Sequence, residues 1–471
     1  RSRRSEVAEA SEAKTVLERV RELPDQTLEN AMEHIHIAKC DEGPTLLSLA
    51  CDNRKFIVDR QGSIQFDHDH DVYDAISGRP REYSCSLSVS SESVPPTFVR
   101  RCLDHDWFPI IVSERVFGEV RLRQRTFVAP VGGPSPDKPR WWRDRVLAIA
   151  EFTAKNRSSE AQVAAFQVLL SAAYAEDVPI ICTLRQNLVY CEKAGQILAV
   201  LEVPDGSWEI SAGENGSVAL RAQLNPEEER GFVVFLPSWR GVQEDQLSDL
   251  LSVEEYLRDT EDYWKQVTAE GMTVEVPDSL LQSLIPASVA HCMMAARNDQ
   301  GRTVAPWIAA VSYGPWESEA QAVIRGMYMM GQMDFARRSL EYFIERYNDE
   351  GYLTTGYTTV GTGWHLWTLG EYYFLSRDKE WLQRVAPCVE KVCRWVMAER
   401  SKTKRQDATG QNVPEYGLMP PGVLADWNVY SYYFCMNAHY YAGLALAGAA
   451  LADIGYPGAQ EILTDAEDFR E

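Results

Sequence analysis

Hydrophobic and polar positions follow two different periods along this chain, and the change falls near residue 250. Upstream, alternation by two dominates. In Val120-Arg-Leu-Arg-Gln-Arg-Thr-Phe-Val128, Arg121, Arg123 and Arg125 share one face while Val120 and Leu122 share the other. Ser217-Val-Ala-Leu-Arg-Ala-Gln-Leu224 alternates in the same way. Both read as half-buried strands. Turn signals at Val131-Gly-Gly-Pro, Pro204-Asp-Gly and Glu214-Asn-Gly punctuate the region, so residues 31–248 are expected to form an antiparallel β-sandwich. Residues 1–30 differ: Ser5–Leu23 is a polar amphipathic segment rich in Glu and Arg, expected to be a peripheral helix.

Downstream the period is helical. Leu251–Glu270 reads as a linking helix within 249–275. Apolar helical segments follow near 279–297, 316–332, 334–347, 363–376, 380–400, 431–453 and 457–470. Short loops containing Gly, Pro, Asn or Asp separate them, the pattern of αα-hairpins. Tyr432–Leu451 stands apart, with only Asn437 and His439 frankly polar. A helix apolar on every side is buried all round, in lipid or among other helices. Its length suits a membrane span. However, Asn437 and His439 are costly in lipid, no Lys or Arg cluster flanks it, and its neighbours are amphipathic. The expectation is a helix enclosed by protein, with no membrane span.

Composition adds exclusions. The 471 residues are 25% charged and 45% hydrophobic, ordinary for a soluble globular chain, and long enough for several domains. A net charge of −22 repels phosphate backbones, so no nucleic-acid partner is expected. Ten cysteines are scattered without a CxxC pair or metal-type spacing. Free thiols fit a reducing, cytoplasmic setting somewhat better than a secreted one, although the compartment stays open. There is no GxGxxG after a strand, no GxxxxGK[ST], no GxSxG and no HExxH, which leaves dinucleotide, P-loop, α/β-hydrolase and zincin readings without support. Asp67-His-Asp-His-Asp71 concentrates ligand types. In an extended strand its Asp and His residues face opposite ways, and a solvated loop is the simpler reading. No metal and no cofactor are expected.

Three loop-to-helix segments combine aromatics with carboxylates. They are Ser312-Tyr-Gly-Pro-Trp-Glu-Ser-Glu319, Gly356-Tyr-Thr-Thr-Val-Gly-Thr-Gly-Trp-His-Leu-Trp367 leading to Glu371, and Tyr416-Gly-Leu-Met-Pro-Pro-Gly-Val-Leu-Ala-Asp-Trp427. If the hairpins form a ring, these helix starts gather on one rim. Such a rim suits a neutral polyol: aromatic faces cover C–H surfaces, while carboxylates and imidazoles exchange hydrogen bonds with hydroxyls.

Gly417-Leu-Met-Pro-Pro-Gly422, followed by Asp426-Trp427 and an Ala/Gly-rich helix, together with Gly363-Trp-His-Leu-Trp-Thr-Leu-Gly-Glu-Tyr-Tyr373, resembles the six-hairpin glycosidase superfamily over about residues 250–471. The resemblance implies an (α/α)6 barrel over 276–471, preceded by the β-sandwich and the helical linker. It implies a carbohydrate substrate and glycosidic cleavage by paired carboxylates, one protonating the leaving oxygen and the other activating water. Asp426, Glu317 and Glu319 are the catalytic candidates. Trp316, Tyr313, Trp364, His365, Trp367, Glu371, Tyr416, Trp427 and Arg325 are the candidate substrate contacts. Glu317 and Glu319 are expected in the first turn of their helix, where the helix dipole favours their charged forms. Being two apart, at most one of them faces the axis. Glu371 has a second reading as an inter-helix structural partner, and Arg325 as partner of a carboxylate or reader of an acidic sugar. Inversion is the expected stereochemistry. A polysaccharide lyase acting on a uronate and a non-catalytic carbohydrate-binding or assembly subunit remain alternatives, and the superfamily also contains phosphorylases. A closed ring of hairpins needs more helices than the roughly seven that follow the linker. The remainder of a longer polypeptide, or an oligomeric partner, is therefore expected to cover the barrel helices.

Overall fold

A computed structural model describes residues 18, 21–22, 27, 43–67, 85–91, 94–134, 145–173, 175, 177–204, 206–213, 215–299, 301–308, 314–354, 359–424 and 429–471. The chain divides into two units, Arg1–Pro44 and Thr45–Glu471. Nearly all of the first unit, including most of the expected Ser5–Leu23 helix, lies outside the described residues. So does most of the Asp67–Asp71 run.

From Thr45 to Pro237 the chain is built of β-strands in two antiparallel sheets. The first is seven-stranded, in the order β1 (Thr45–Leu47), β2 (Phe56–Val58), β3 (Ile64–Phe66), β4 (Cys85–Ser91), β9 (Gln162–Ala172), β14 (Ser217–Leu224), β13 (Glu209–Ala212). The second is eight-stranded, in the order β10 (Ile181–Arg185), β11 (Leu188–Lys193), β12 (Gln196–Glu202), β15 (Glu229–Pro237), β8 (Val146–Asn156), β7 (Val120–Pro130), β6 (Phe108–Phe117), β5 (Thr97–Asp104). The predicted alternation is visible in β7, where Val120, Leu122 and Gln124 are buried and Arg121, Arg123 and Arg125 half-buried. The outward arginines meet carboxylates: Arg121 lies 3.4 Å from Glu114, and Arg125 pairs with Glu151. The inner faces share one core. Phe117 of the larger sheet meets Phe166 of the smaller edge to face at 5.5 Å, and the buried Arg115 donates across the gap to the Val89 carbonyl at 2.9 Å. Residues buried this way hold the two sheets in one packing arrangement.

Helix α1 (Val253–Ala269) opens on a capping box, with Ser252 and Glu255 exchanging side-chain and backbone hydrogen bonds. It carries Tyr256, Tyr263 and Trp264 into the sandwich core. Helix α2 (Ser279–Ala295) is capped by Asp278, and its C-terminal end is tied to the sandwich by a buried amine. Lys55 Nζ donates to the Met294 carbonyl, to the Ala296 carbonyl at 2.9 Å and to Ser48 Oγ at 3.2 Å. The last carbonyls of a helix have no partner within it and carry negative character, so a cation is well placed there. A two-stranded hairpin, β16 (Arg297–Asp299) with β17 (Thr303–Ala305), follows, where the helical period was expected to run on to 297.

Three helix pairs complete the described chain: α3 (Glu319–Met329) with α4 (Met333–Ile344), α5 (Gly361–Ser376) with α6 (Lys379–Ser401), and α7 (Phe434–Asp453) with α8 (Ala459–Arg470). α3, α5 and α7 lie side by side, and α4, α6 and α8 back them. A second core unites these elements, with Trp381, Tyr373, Tyr440 and Leu444 among its buried side chains. A short ladder, β18 (Gly422–Val423) with β19 (Tyr430–Ser431), precedes α7. Among the described residues these hairpins form a run and not a closed ring.

The apolar run chosen by sequence as a fully enclosed helix is α7, and it corrects that expectation in part. Its Gly and Ala residues serve a close crossing with α5. A Cβ on Gly443 would lie 2.5 Å from the Gly363 carbonyl oxygen, and one on Gly363 would lie 2.8 Å from Tyr440, so only glycine lets the two backbones approach this far. The opposite side is open: Phe434 is 89% exposed, Cys435 and Ala438 are exposed, and His439, Ala442 and Ala445 are half-buried. No described helix is long and apolar enough to cross a membrane.

Candidate functional site

The loops that start α3, α5 and α7 meet one another. Glu317, two residues before α3, lies against the first residue of α5; a Cβ on Gly361 would stand 1.8 Å from Glu317 Cγ. Thr359, just before α5, reaches the loop before α7. Its amide donates to the Val423 carbonyl at 3.4 Å and its hydroxyl to the same oxygen at 3.3 Å. Tyr440 of α7 donates its hydroxyl to the Thr359 carbonyl at 2.5 Å. Asn437, one of the two polar residues of α7, anchors the Gly417–Gly422 loop: its Oδ1 accepts from the Met419 amide at 2.8 Å, and its amide donates to the Tyr433 carbonyl at 2.9 Å. The polar interruption of the apolar run is thus a loop clamp, with its donor and acceptor both used.

Beside this junction, a half-exposed face runs along α3, α5 and α7. Trp364 and Trp367 of α5, both half-buried, contact His439 of α7, with ring centroids 4.8 and 5.6 Å from the imidazole. His439 Nδ1 lies 2.7 Å from the Cys435 carbonyl, so this nitrogen carries the proton and donates, leaving the ring's other edge turned elsewhere. Two turns further along α5, Glu371 accepts two hydrogen bonds from Arg325 of α3, Nε to Oε2 at 2.6 Å and Nη2 to Oε1 at 2.9 Å. The Tyr328 hydroxyl donates to the same carboxylate. The Arg325 guanidinium also stands 5.3 Å from the Trp367 ring centroid, within cation–π reach. The Arg325 hydrogen bond, then burial, sets the Glu371 carboxyl, and the balance falls below the usual carboxylate range. Burial, reinforced by Glu371, pushes the Tyr328 phenol up. The cluster is therefore a charged bidentate pair topped by a neutral phenol, joined to an aromatic shelf.

The structure sorts the remaining sequence candidates. Glu319 begins α3, half-buried, and accepts from Ser318 Oγ. Glu317 precedes the helix instead of sitting in its first turn, and is 1% exposed. Its side chain lies against the start of α5, where only a glycine at 361 leaves room for it. Its charge is felt by Tyr352 and Tyr440, whose phenols are raised by burial first and by Glu317 after it. Trp316 is half-buried beside Glu317. His365 does not contact the open face: it is fully buried, its Nδ1 is 2.6 Å from the Tyr347 hydroxyl and its ring 5.7 Å from Phe343. Burial lowers its pKa to about 3, so the imidazole is neutral. On α5, His365 follows Trp364 by one residue and so turns inward when Trp364 turns out. Tyr416 is 40% exposed on the turn held to α6 through the Arg400–Gly417 hydrogen bond of 2.8 Å, and nothing described joins it to the Trp–His face. Tyr313, Asp426 and Trp427 lie outside the described residues. Tyr328 and His439 lie on this face, although the sequence reading did not select them. For Tyr328 the signal was available, since it follows Arg325 by three on the same helical face.

No protein-family model matches the chain, and no curated protein matches it. Among solved structures, the inverting mannosidase of family GH92 from Bacteroides thetaiotaomicron VPI-5482 superposes with a TM-score of 0.38 at 9% sequence identity, over 91% of this chain and 62% of that one. The chain therefore spans less than two thirds of the length of that protein.

Proposed function

We propose that the protein acts on an oligosaccharide or glycoside, hydrolysing a glycosidic bond at the junction of the loops before α3, α5 and α7. The observation that carries this reading is the half-exposed Trp364–His439–Trp367 face lying beside that junction. Two indole planes in contact with an imidazole offer apolar cover to the C–H faces of a sugar and hydrogen bonding to its hydroxyls. Asp426 is the proposed first carboxylate, and Glu317 or Glu319 its partner. Inversion follows if the two carboxyls stand about 6.5–9.5 Å apart, leaving room for water. Glu371 is unsuited to be the acid, because an ionised carboxylate already holding two Arg325 hydrogen bonds has no proton to give.

The test is turnover of a panel of glycosides by Asp426→Asn and Glu317→Gln. Each is expected to lose at least about a hundredfold in kcat, the lower end for a general acid or base, while keeping its fold by circular dichroism. Near-wild-type rates in both remove these residues as catalysts.

A second reading, binding without cleavage, draws on the burial of Glu317 and the engagement of Glu371. It predicts a tryptophan fluorescence change with sugar and no turnover. The lyase alternative is weakened for Arg325, because reading a uronate there would require breaking its bidentate pair with Glu371.

A further inference from the structure

Strand β10 is the outermost strand of the eight-stranded sheet, and its hairpin with β11 carries a close pair of thiols. Cys182 and Cys191 are directly opposite in the register. The Cys182 amide donates away from β11, to the Gly213 carbonyl at 3.3 Å. The pair is therefore of the non-hydrogen-bonded kind, in which opposed side chains come closest and Cα atoms stand about 4.5 Å apart. That spacing falls at the near end of the range a disulfide spans, about 4.4–6.8 Å. Both side chains turn to the interior, 6% and 0% exposed, and their Sγ atoms are 2.7 Å apart. The two-residue turn Gln186-Asn187 fixes the register, with Gln186 at φ 58°, so the thiols cannot slide past one another without undoing the hairpin.

We propose that Cys182 and Cys191 are a modification site: an oxidisable pair that closes to a cross-strand disulfide and staples the outermost strand of the larger sheet. A small disulfide such as oxidised glutathione is the oxidant. The Cys182 thiolate attacks one glutathione sulfur, forming a mixed disulfide and expelling a glutathione thiolate. The Cys191 thiol then loses its proton to solvent and attacks Cys182 Sγ, expelling the second glutathione. Two protein thiols are oxidised, one glutathione disulfide is reduced to two thiols, and the protein loses two hydrogens. Cys182 is the attacking partner because it stands on the outermost strand and is the more exposed of the two, 6% against 0%. Cys191 lies deeper, and the neighbouring Cys182 together with burial holds it protonated. β10 is the last strand of its sheet, and beyond β11 its backbone is held only where Cys182 meets Gly213 and Gly216 meets Ile180 among the described residues; the staple acts on that strand.

The folded chain is treated with oxidised glutathione, denatured in alkylating agent and digested with trypsin, and a second sample is reduced first. Cleavage after Arg185 separates the two cysteines, so the disulfide is expected to appear as two joined peptides, one ending at Arg185 and one starting at Gln186. The reduced sample yields the same peptides apart and alkylated. The oxidised protein is also expected to melt at a higher temperature than the reduced one. In Cys191→Ala, Cys182 is expected to stop at the glutathione mixed disulfide, since the resolving thiol is gone. Separate alkylated peptides after oxidation overturn the site. So does wild-type Cys182 ending as a stable glutathione adduct, or joined to any cysteine other than Cys191. An unchanged melting temperature with the bond formed overturns the staple.

Discussion

Arg325 of α3 and Glu371 of α5 are joined by two parallel hydrogen bonds, of 2.6 and 2.9 Å, with the Tyr328 hydroxyl on the same carboxylate. Fork-to-carboxylate geometry fixes relative orientation as well as charge. It therefore locks the two helices that frame the aromatic shelf. Glu371→Ala is expected to cost about 2 kcal/mol, the range for hydrogen bonds to charged groups, read as a lower denaturant midpoint. Glu371→Gln should cost less, because its carbonyl oxygen still accepts from Arg325.

The same pair has a pH signature. The carboxyl of Glu371 is held below its ordinary value of 4.5 in the folded chain, so the unfolded chain takes up the proton first as pH falls. The contribution is fully present above about pH 4.5 and is lost on acidification through the lower folded value. Wild type should lose more stability than Glu371→Gln in that window when both are followed by urea unfolding. Parallel losses would show that the pair is not linked to protonation.

A second acid response comes from His365, whose buried ring sits at about 3 instead of 6.5. Between these values the unfolded chain binds a proton that the folded chain refuses, so stability falls as pH drops through the window, by up to about 1.4 kcal/mol per pH unit. His365→Asn keeps a polar atom near Tyr347 and cannot charge. It should show a shallower decline from pH 6.5 to 4 in urea titrations, although it starts less stable at neutral pH.

The close crossing of α5 and α7 predicts an unusual intolerance of one methyl group. Gly443→Ala places a Cβ 2.5 Å from the Gly363 carbonyl oxygen, a backbone atom. Relief requires the helices to separate, and overpacking of this kind costs about 1–3 kcal/mol. Ala449→Gly, on the half-buried side of the same helix, should cost about 1 kcal/mol through propensity alone. Thermal melts of the two variants separate a packing effect from a propensity effect.

These contrasts show what was legible from residues alone. Period-two alternation in β7 and β14 carried the sheets, because a half-buried strand must alternate. The helical segments were legible for the same reason at a different period. The enclosed reading of α7 was only partly right, because Gly and Ala report a close approach on one side and say nothing of the other. Glu317 was expected at a helix start facing a site, yet the contact that buries it comes from Gly361, forty-four positions later. His365 and Trp364 are neighbours in sequence with opposite fates: His365 is buried against Phe343 and Tyr347, and Trp364 meets His439 of α7 on the half-exposed face. Long-range packing of that kind leaves little local trace.

The shelf itself gives the most direct test of the proposed function. Trp364 and Trp367 are half-buried and both contact the His439 ring. If sugars stack there, each indole removed should weaken binding about tenfold, equivalent to about 1.4 kcal/mol. Trp367→Ala carries a complication, since Arg325 loses the ring 5.3 Å from it. Trp364→Ala leaves the ion pair untouched and is the cleaner variant. The measurement is calorimetric titration with the best-binding glycan from a panel, beside a melting curve that checks the fold. Asp426→Asn should leave affinity near wild type while abolishing turnover, which separates the shelf from the chemistry. Undiminished binding in both tryptophan variants would move the carbohydrate site elsewhere on the molecule.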